Sequence, residues 1–95
     1  MTPVIRYRMM TKADKNNYEL PTGLGKIHRI EARSRRGVTH LLKKVPAEEM
    51  RRLFATIAGD ELFEIPTLYA IDRELLLYPT PDRRYQITIE HEEVA

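Results

Sequence analysis

The sequence predicts an α+β domain: an antiparallel sheet of about four to six strands, with one amphipathic helix at residues 46–58 packed on one face. Three observations carry this expectation. Apolar and polar residues alternate with a period of two in residues 2–11 and 84–90, and residues 26–45 carry a turn signature between two strand-like arms. Met50, Leu53, Phe54, Ile57 and Ala58 recur at the i, i+3, i+4, i+7, i+8 spacing of a helical stripe. The order along the chain is strands, one helix, then more strands.

In the first strand, Ile5, Tyr7 and Met9 point one way and Arg6 and Arg8 the other. A polar loop follows from Lys12 to Gly25, broken by Asn16-Asn17, Pro21, Gly23 and Gly25. Residues 26–45 read as a hairpin. Ser34-Arg35-Arg36-Gly37 has the serine and glycine of a type I turn closed by a left-handed glycine. That register pairs Ser34 with Val38, Ala32 with His40, Ile30 with Leu42 and His28 with Lys44. Ala32, Ile30, Val38 and Leu42 then share an apolar face, which the helix stripe is expected to cover. Arg29, Glu31, Arg33, Thr39, Leu41 and Lys43 share the opposite one. Pro46 suits the first helical position, Glu48 and Glu49 favour the helix dipole, and Gly59 is the expected cap. Residues 67–78 are compatible with a helix, or with two strands turning at Asp72-Arg73-Glu74. Their bounding prolines and aromatic content favour the strands. After the Pro79-Thr80-Pro81-Asp82 turn, a last strand directs Tyr85, Ile87 and Ile89 inward.

Ninety-five residues form one domain, with 91–95 expected as a flexible acidic tail. A composition 42% hydrophobic and 32% charged fits a folded chain rather than a disordered one. No apolar run is long enough for a membrane span and no signal-peptide core is present, so the cytoplasm is expected. The absence of cysteine excludes disulfides, thiolate nucleophiles and cysteine-ligated zinc. Eleven arginines against five lysines, with amides only at Asn16, Asn17 and Gln86, fit a thermophile or a GC-rich genome.

Catalytic and metal constellations are wanting. Gly23 to Ile27 resembles part of a phosphate loop, but Leu20 stands where its first glycine belongs and Ile27 where its magnesium-binding hydroxyl belongs. His28 and His40 are held roughly 13 Å apart by the hairpin register, too far for one ion. Ser34, the sole serine, is accounted for by its turn. The expectation is a protein that is not an enzyme and needs no cofactor or metal.

Charge is distributed unevenly. Residues 1–46 hold 11 Lys/Arg and 3 Asp/Glu, for +8, whereas residues 47–95 hold 5 and 11, for −6. Either the basic half meets a polyanion, or the halves neutralise each other across strands. The first alternative points to single-stranded nucleic acid, DNA or RNA, since arginine and lysine neutralise phosphates and aromatic rings stack unpaired bases. Candidate phosphate contacts are Arg6, Arg8, Arg29, Arg33, Arg35, Arg36 and Lys43; candidate stackers are Tyr7, Tyr18 and Tyr85. The alternative is a protein-interaction or assembly module without a nucleic-acid role, a homodimer or higher homo-oligomer pairing through an apolar edge such as Leu75-Leu76-Leu77.

The basic start (VIRYRMM and KIHRIEARSRRGVTHLLKKV), the amphipathic helix (PAEEMRRLFATIAG) and the closing strands resemble the ThermoDBP-related single-stranded DNA-binding proteins of thermophilic archaea in element order and composition. That resemblance implies a small oligomer that binds single strands through basic and aromatic groups without marked sequence preference.

Overall fold

The computed structural model describes residues 3–56 and 65–93. Its elements are β1 (Val4–Met10), β2 (Asn17–Glu19), β3 (Leu24–Arg33), β4 (Thr39–Leu41), β5 (Lys43–Lys44), α1 (Ala47–Thr56), β6 (Leu68–Asp72), β7 (Glu74–Tyr78) and β8 (Gln86–Glu93). The class is α+β, and the strands divide into two four-stranded sheets. The first, in the order β1-β8-β3-β4, is antiparallel throughout. The second, in the order β2-β7-β6-β5, is antiparallel except where β5 runs parallel to β6.

Alternation along each strand explains the layering. Ile30, Ala32, Ile87 and Ile89 of the first sheet pack against Tyr18, Tyr69, Leu75 and Leu77 of the second, forming the main core. On the other side of the second sheet, Ala70 packs with Met50 and Val45, and Leu68, Leu76 and Tyr78 adjoin them. Phe54 meets Tyr78 edge-on, with 5.4 Å between ring centroids. The expected helix therefore exists, but it covers the second sheet, while the apolar face of the hairpin is covered by that sheet. Ile57, Ala58 and Gly59, the expected end of the stripe and its cap, lie outside the described residues.

The hairpin tip forms as its residues require. The Gly37 N–H donates to the Ser34 carbonyl at 2.9 Å and the Ser34 N–H to the Val38 carbonyl at 2.8 Å. Gly37 has φ +87°, the left-handed backbone that glycine adopts without a Cβ penalty. Ala32 pairs with His40, and the Leu42 N–H donates to the Ile30 carbonyl. The expected pairing then fails. The Lys43 N–H bonds the Thr67 carbonyl, and Lys43-Lys44 runs beside Leu68-Tyr69 in the second sheet, so His28 does not face Lys44. Val38 is exposed beyond the reach of the core.

Residues 67–78 take the favoured alternative, the strand pair β6–β7, turning at Arg73 with φ +65°. Three further expectations change. The Lys12–Gly25 loop contains strand β2 and the first residues of β3. His91 to Glu93 continue β8 as ordered strand, and His91 is buried, so a flexible tail from residue 91 does not hold. Leu75-Leu76-Leu77 is not an edge: β7 lies between β2 and β6, with Leu75 and Leu77 in one core and Leu76 against the other.

Candidate functional site

The inward turn of the apolar residues leaves the outer face of the first sheet to the polar ones. Register places β8 between the two basic strands, so Arg6, Glu90 and Arg29 form one row across the sheet. Arg8, Thr88, Glu31 and Leu41 form the next, followed by Met10, Gln86, Arg33 and Thr39. A shallow depression on this face is lined by Arg6, Arg8, Arg29 and Arg33 together with Glu31, Glu90, Thr39, Gln86 and Thr88.

The two acids partly neutralise the face. Glu90 accepts from the Arg6 Nε at 3.2 Å and lies 3.7 Å from the Arg29 Nε, and Arg29 also pairs with Glu31. At the far end His28 lies 3.3 Å from the Glu92 carboxylate. Cross-strand neutralisation thus holds at that end of the sheet. It does not reach the other end. Among the described residues, Arg8, Arg33, Arg35, Arg36 and Arg84 have no carboxylate partner.

Beyond the Met10–Gln86–Arg33 row the face continues into a groove of about 770 Å³. Its lining includes Arg33 and Arg35 from the hairpin and Arg83 and Arg84 from the segment before β8, with no carboxylate among the described residues. Both walls are held by local hydrogen bonds. The Ser34–Gly37 turn fixes one, and the Val38 N–H adds a bond to the Ser34 Oγ at 3.1 Å. The other hangs on Thr11, fully buried at the end of β1. Its hydroxyl donates to the Arg83 carbonyl and accepts from the Tyr85 N–H, each at 2.8 Å, and its own N–H donates to the Tyr85 carbonyl at 2.9 Å. The Tyr85 hydroxyl donates to the Asp82 carboxylate, which also accepts from the Arg83 Nε at 3.1 Å. That phenol, above all, holds the Asp82 carboxyl below the usual carboxylate range. A smaller push from burial opposes it, and the Asp82 amide and Arg83 add to it.

The sequence-predicted site residues separate into three groups. Arg6, Arg8, Arg29 and Arg33 come together on the sheet face, and Arg35 and Arg36 stand at its end on the hairpin turn. Lys43 stands apart on β5, the edge of the second sheet, because the chain changes sheets after Leu42. The tyrosines are not on the face. Tyr18 is buried, with its hydroxyl donating to the Lys15 carbonyl at 2.6 Å and accepting from the Lys12 N–H at 2.9 Å; burial raises its pKa. Tyr85 is buried against Asp82, and Tyr7 packs half-buried against the main core. Their expected stacking role therefore has no ring on the arginine face behind it. Sequence reasoning left out Arg83 and Arg84 from the site. The Arg83-Arg84-Tyr85 run was the available signal, but its place beside the hairpin depends on the β3–β8 pairing.

No protein-family model matches this chain, and no curated protein matches it.

Proposed function

We propose that the protein is a non-enzymatic binder of single-stranded nucleic acid that receives the strand on the outer face of the first sheet. The observation that carries this reading is the convergence of Arg33, Arg35, Arg83 and Arg84 on one groove that no carboxylate of the described residues lines. Arginines drawn from two distant parts of the sequence, with three of the four unpaired among the described residues, form a concentrated site for oxyanions. Thr39, Thr88, Gln86 and Glu31 offer hydrogen-bonding groups to base edges between the arginines. With no tyrosine lining this face, guanidinium planes are the groups available for base stacking. The single described helix lies beyond the second sheet, on the side away from this face, so it cannot enter a duplex groove from it. The resemblance to ThermoDBP-related proteins is in keeping with this reading. Labelled single- and double-stranded oligonucleotides at about 50 mM salt, where phosphate contacts are strong, provide the test. The single strand should bind more tightly, and Arg33→Gln with Arg84→Gln should weaken it.

A second reading, assembly through strand pairing, is favoured by one observation. Edge strand β1 presents seven residues without a second strand neighbour among the described residues, including Val4 and Ile5, which are 51% and 43% exposed. A sedimentation series in protein concentration should show a dimer if β1 pairs with its copy.

A further inference from the structure

The groove holds more positive charge than a strand's backbone requires at one point. A phosphodiester carries one charge and two free oxygens, which a single guanidinium fork can satisfy. Here four arginines meet, and among the described residues only Arg83 is matched, by Asp82 next to it in sequence. A terminal phosphomonoester carries about −1.5 to −2 charges at pH 7 and three strong acceptor oxygens, a better match to this set.

Position agrees with stoichiometry. The groove lies past the Met10–Gln86–Arg33 row, the last row in which β1, β8 and β3 are all paired, so it stands at the end of the face. The interior of that face mixes Glu31 and Glu90 among its arginines, which suits bases and singly charged diesters and repels a dianion. The two surfaces share Arg33 and Gln86. Because the turn and the Thr11 clamp fix both walls, the guanidiniums are mounted on backbone that need not rearrange.

We propose that the groove anchors the terminal phosphate of a nucleic-acid strand, whose body extends over Gln86 and Thr88 towards Arg8. This rests on the strand-binding reading and deepens it. The test compares three labelled single strands of one sequence, bearing a 5′-phosphate, a 3′-phosphate or hydroxyls at both ends, in about 150 mM salt, where unspecific charge effects are screened. At least one phosphorylated strand should bind about tenfold or more tighter than the hydroxyl strand, and the favoured end identifies the anchor's substrate. In the Arg33→Gln/Arg84→Gln variant that gap should close. Equal binding of all three strands by the wild type overturns the anchor and leaves strand binding standing. A gap that persists in the variant reflects bulk charge and also overturns it. Binding of phosphorylated strands alone would support the anchor as the dominant contact; binding of none refutes both.

Discussion

Glu90 offers a prediction of unusual sign. Its carboxylate sits between Arg6 and Arg29 in the middle of the arginine face, where it would compete with incoming phosphates. Glu90→Gln removes one negative charge and releases Arg6 outright, while Arg29 keeps Glu31. The pairs involve partly exposed side chains, so their loss costs about 0–1 kcal/mol each and shifts Tm by only a few degrees. If the released Arg6 neutralises one more phosphate, the slope of log affinity against log salt steepens by about 0.7 for a single strand. Carried from 1 M, where the electrostatic contribution vanishes, to 0.1 M, that slope amounts to about fivefold tighter binding. Fluorescence anisotropy with a labelled single strand at several salt concentrations reads both quantities. If Glu90→Gln binds no more tightly than the wild type and keeps its slope, the arginine face is not where the strand lies.

Other consequences concern the scaffold beneath the site. Thr11→Val keeps the shape of the side chain but removes the acceptor for the Tyr85 N–H and the donor to the Arg83 carbonyl; a loss of about 1–3 kcal/mol in urea denaturation is expected, and unchanged stability would mean the hydroxyl is not a clamp. Met50→Ala empties a fully buried position between Val45 and Ala70 and should cost about 2–5 kcal/mol by the same measurement. Asp82 has its folded pKa depressed chiefly by the Tyr85 hydroxyl, so its contribution is present above the unfolded value of about 3.9 and is lost as pH falls through the lower folded value. Asp82→Asn should therefore be less stable than the wild type at neutral pH, with the difference shrinking below about pH 4; a difference independent of pH would contradict the assignment.

Local signals were legible and long-range pairing was not. Ser34 and Gly37 specify their turn through a short side chain and a left-handed glycine, and the structure keeps the Ala32–His40 register that follows. The stripe of α1 and the inward set Tyr85, Ile87 and Ile89 were equally readable, because a period of 3.6 or 2 is a property of neighbouring residues. The switch after Leu42 leaves only a faint trace: the Lys43-Lys44 pair breaks the alternation, but nothing local says that the hydrogen-bond partner changes from Ile30 to Thr67, and Lys43 departs from the basic face with it. The insertion of β8 between β1 and β3 is likewise a choice of partner, and it decides both features that alter the site. It sets Glu90 between Arg6 and Arg29, and it carries Arg83 and Arg84 to the hairpin tip. The tyrosines could be placed in part from sequence, since alternation sends Tyr7 and Tyr85 away from their neighbouring arginines. Tyr18 could not, because β2 is three residues long and too short to show a period.

The proposed role of the first sheet's outer face and its arginine groove is to bind single-stranded nucleic acid through phosphates. Its most direct measurement is the affinity for a labelled single strand between about 50 and 200 mM salt. Arg8, Arg33, Arg35, Arg36 and Arg84, five arginines of this face and its end without a carboxylate partner among the described residues, set a slope of about −3.5, so affinity should fall by roughly two powers of ten over that fourfold rise. No detectable binding at the lower salt, or binding that ignores salt, would contradict it.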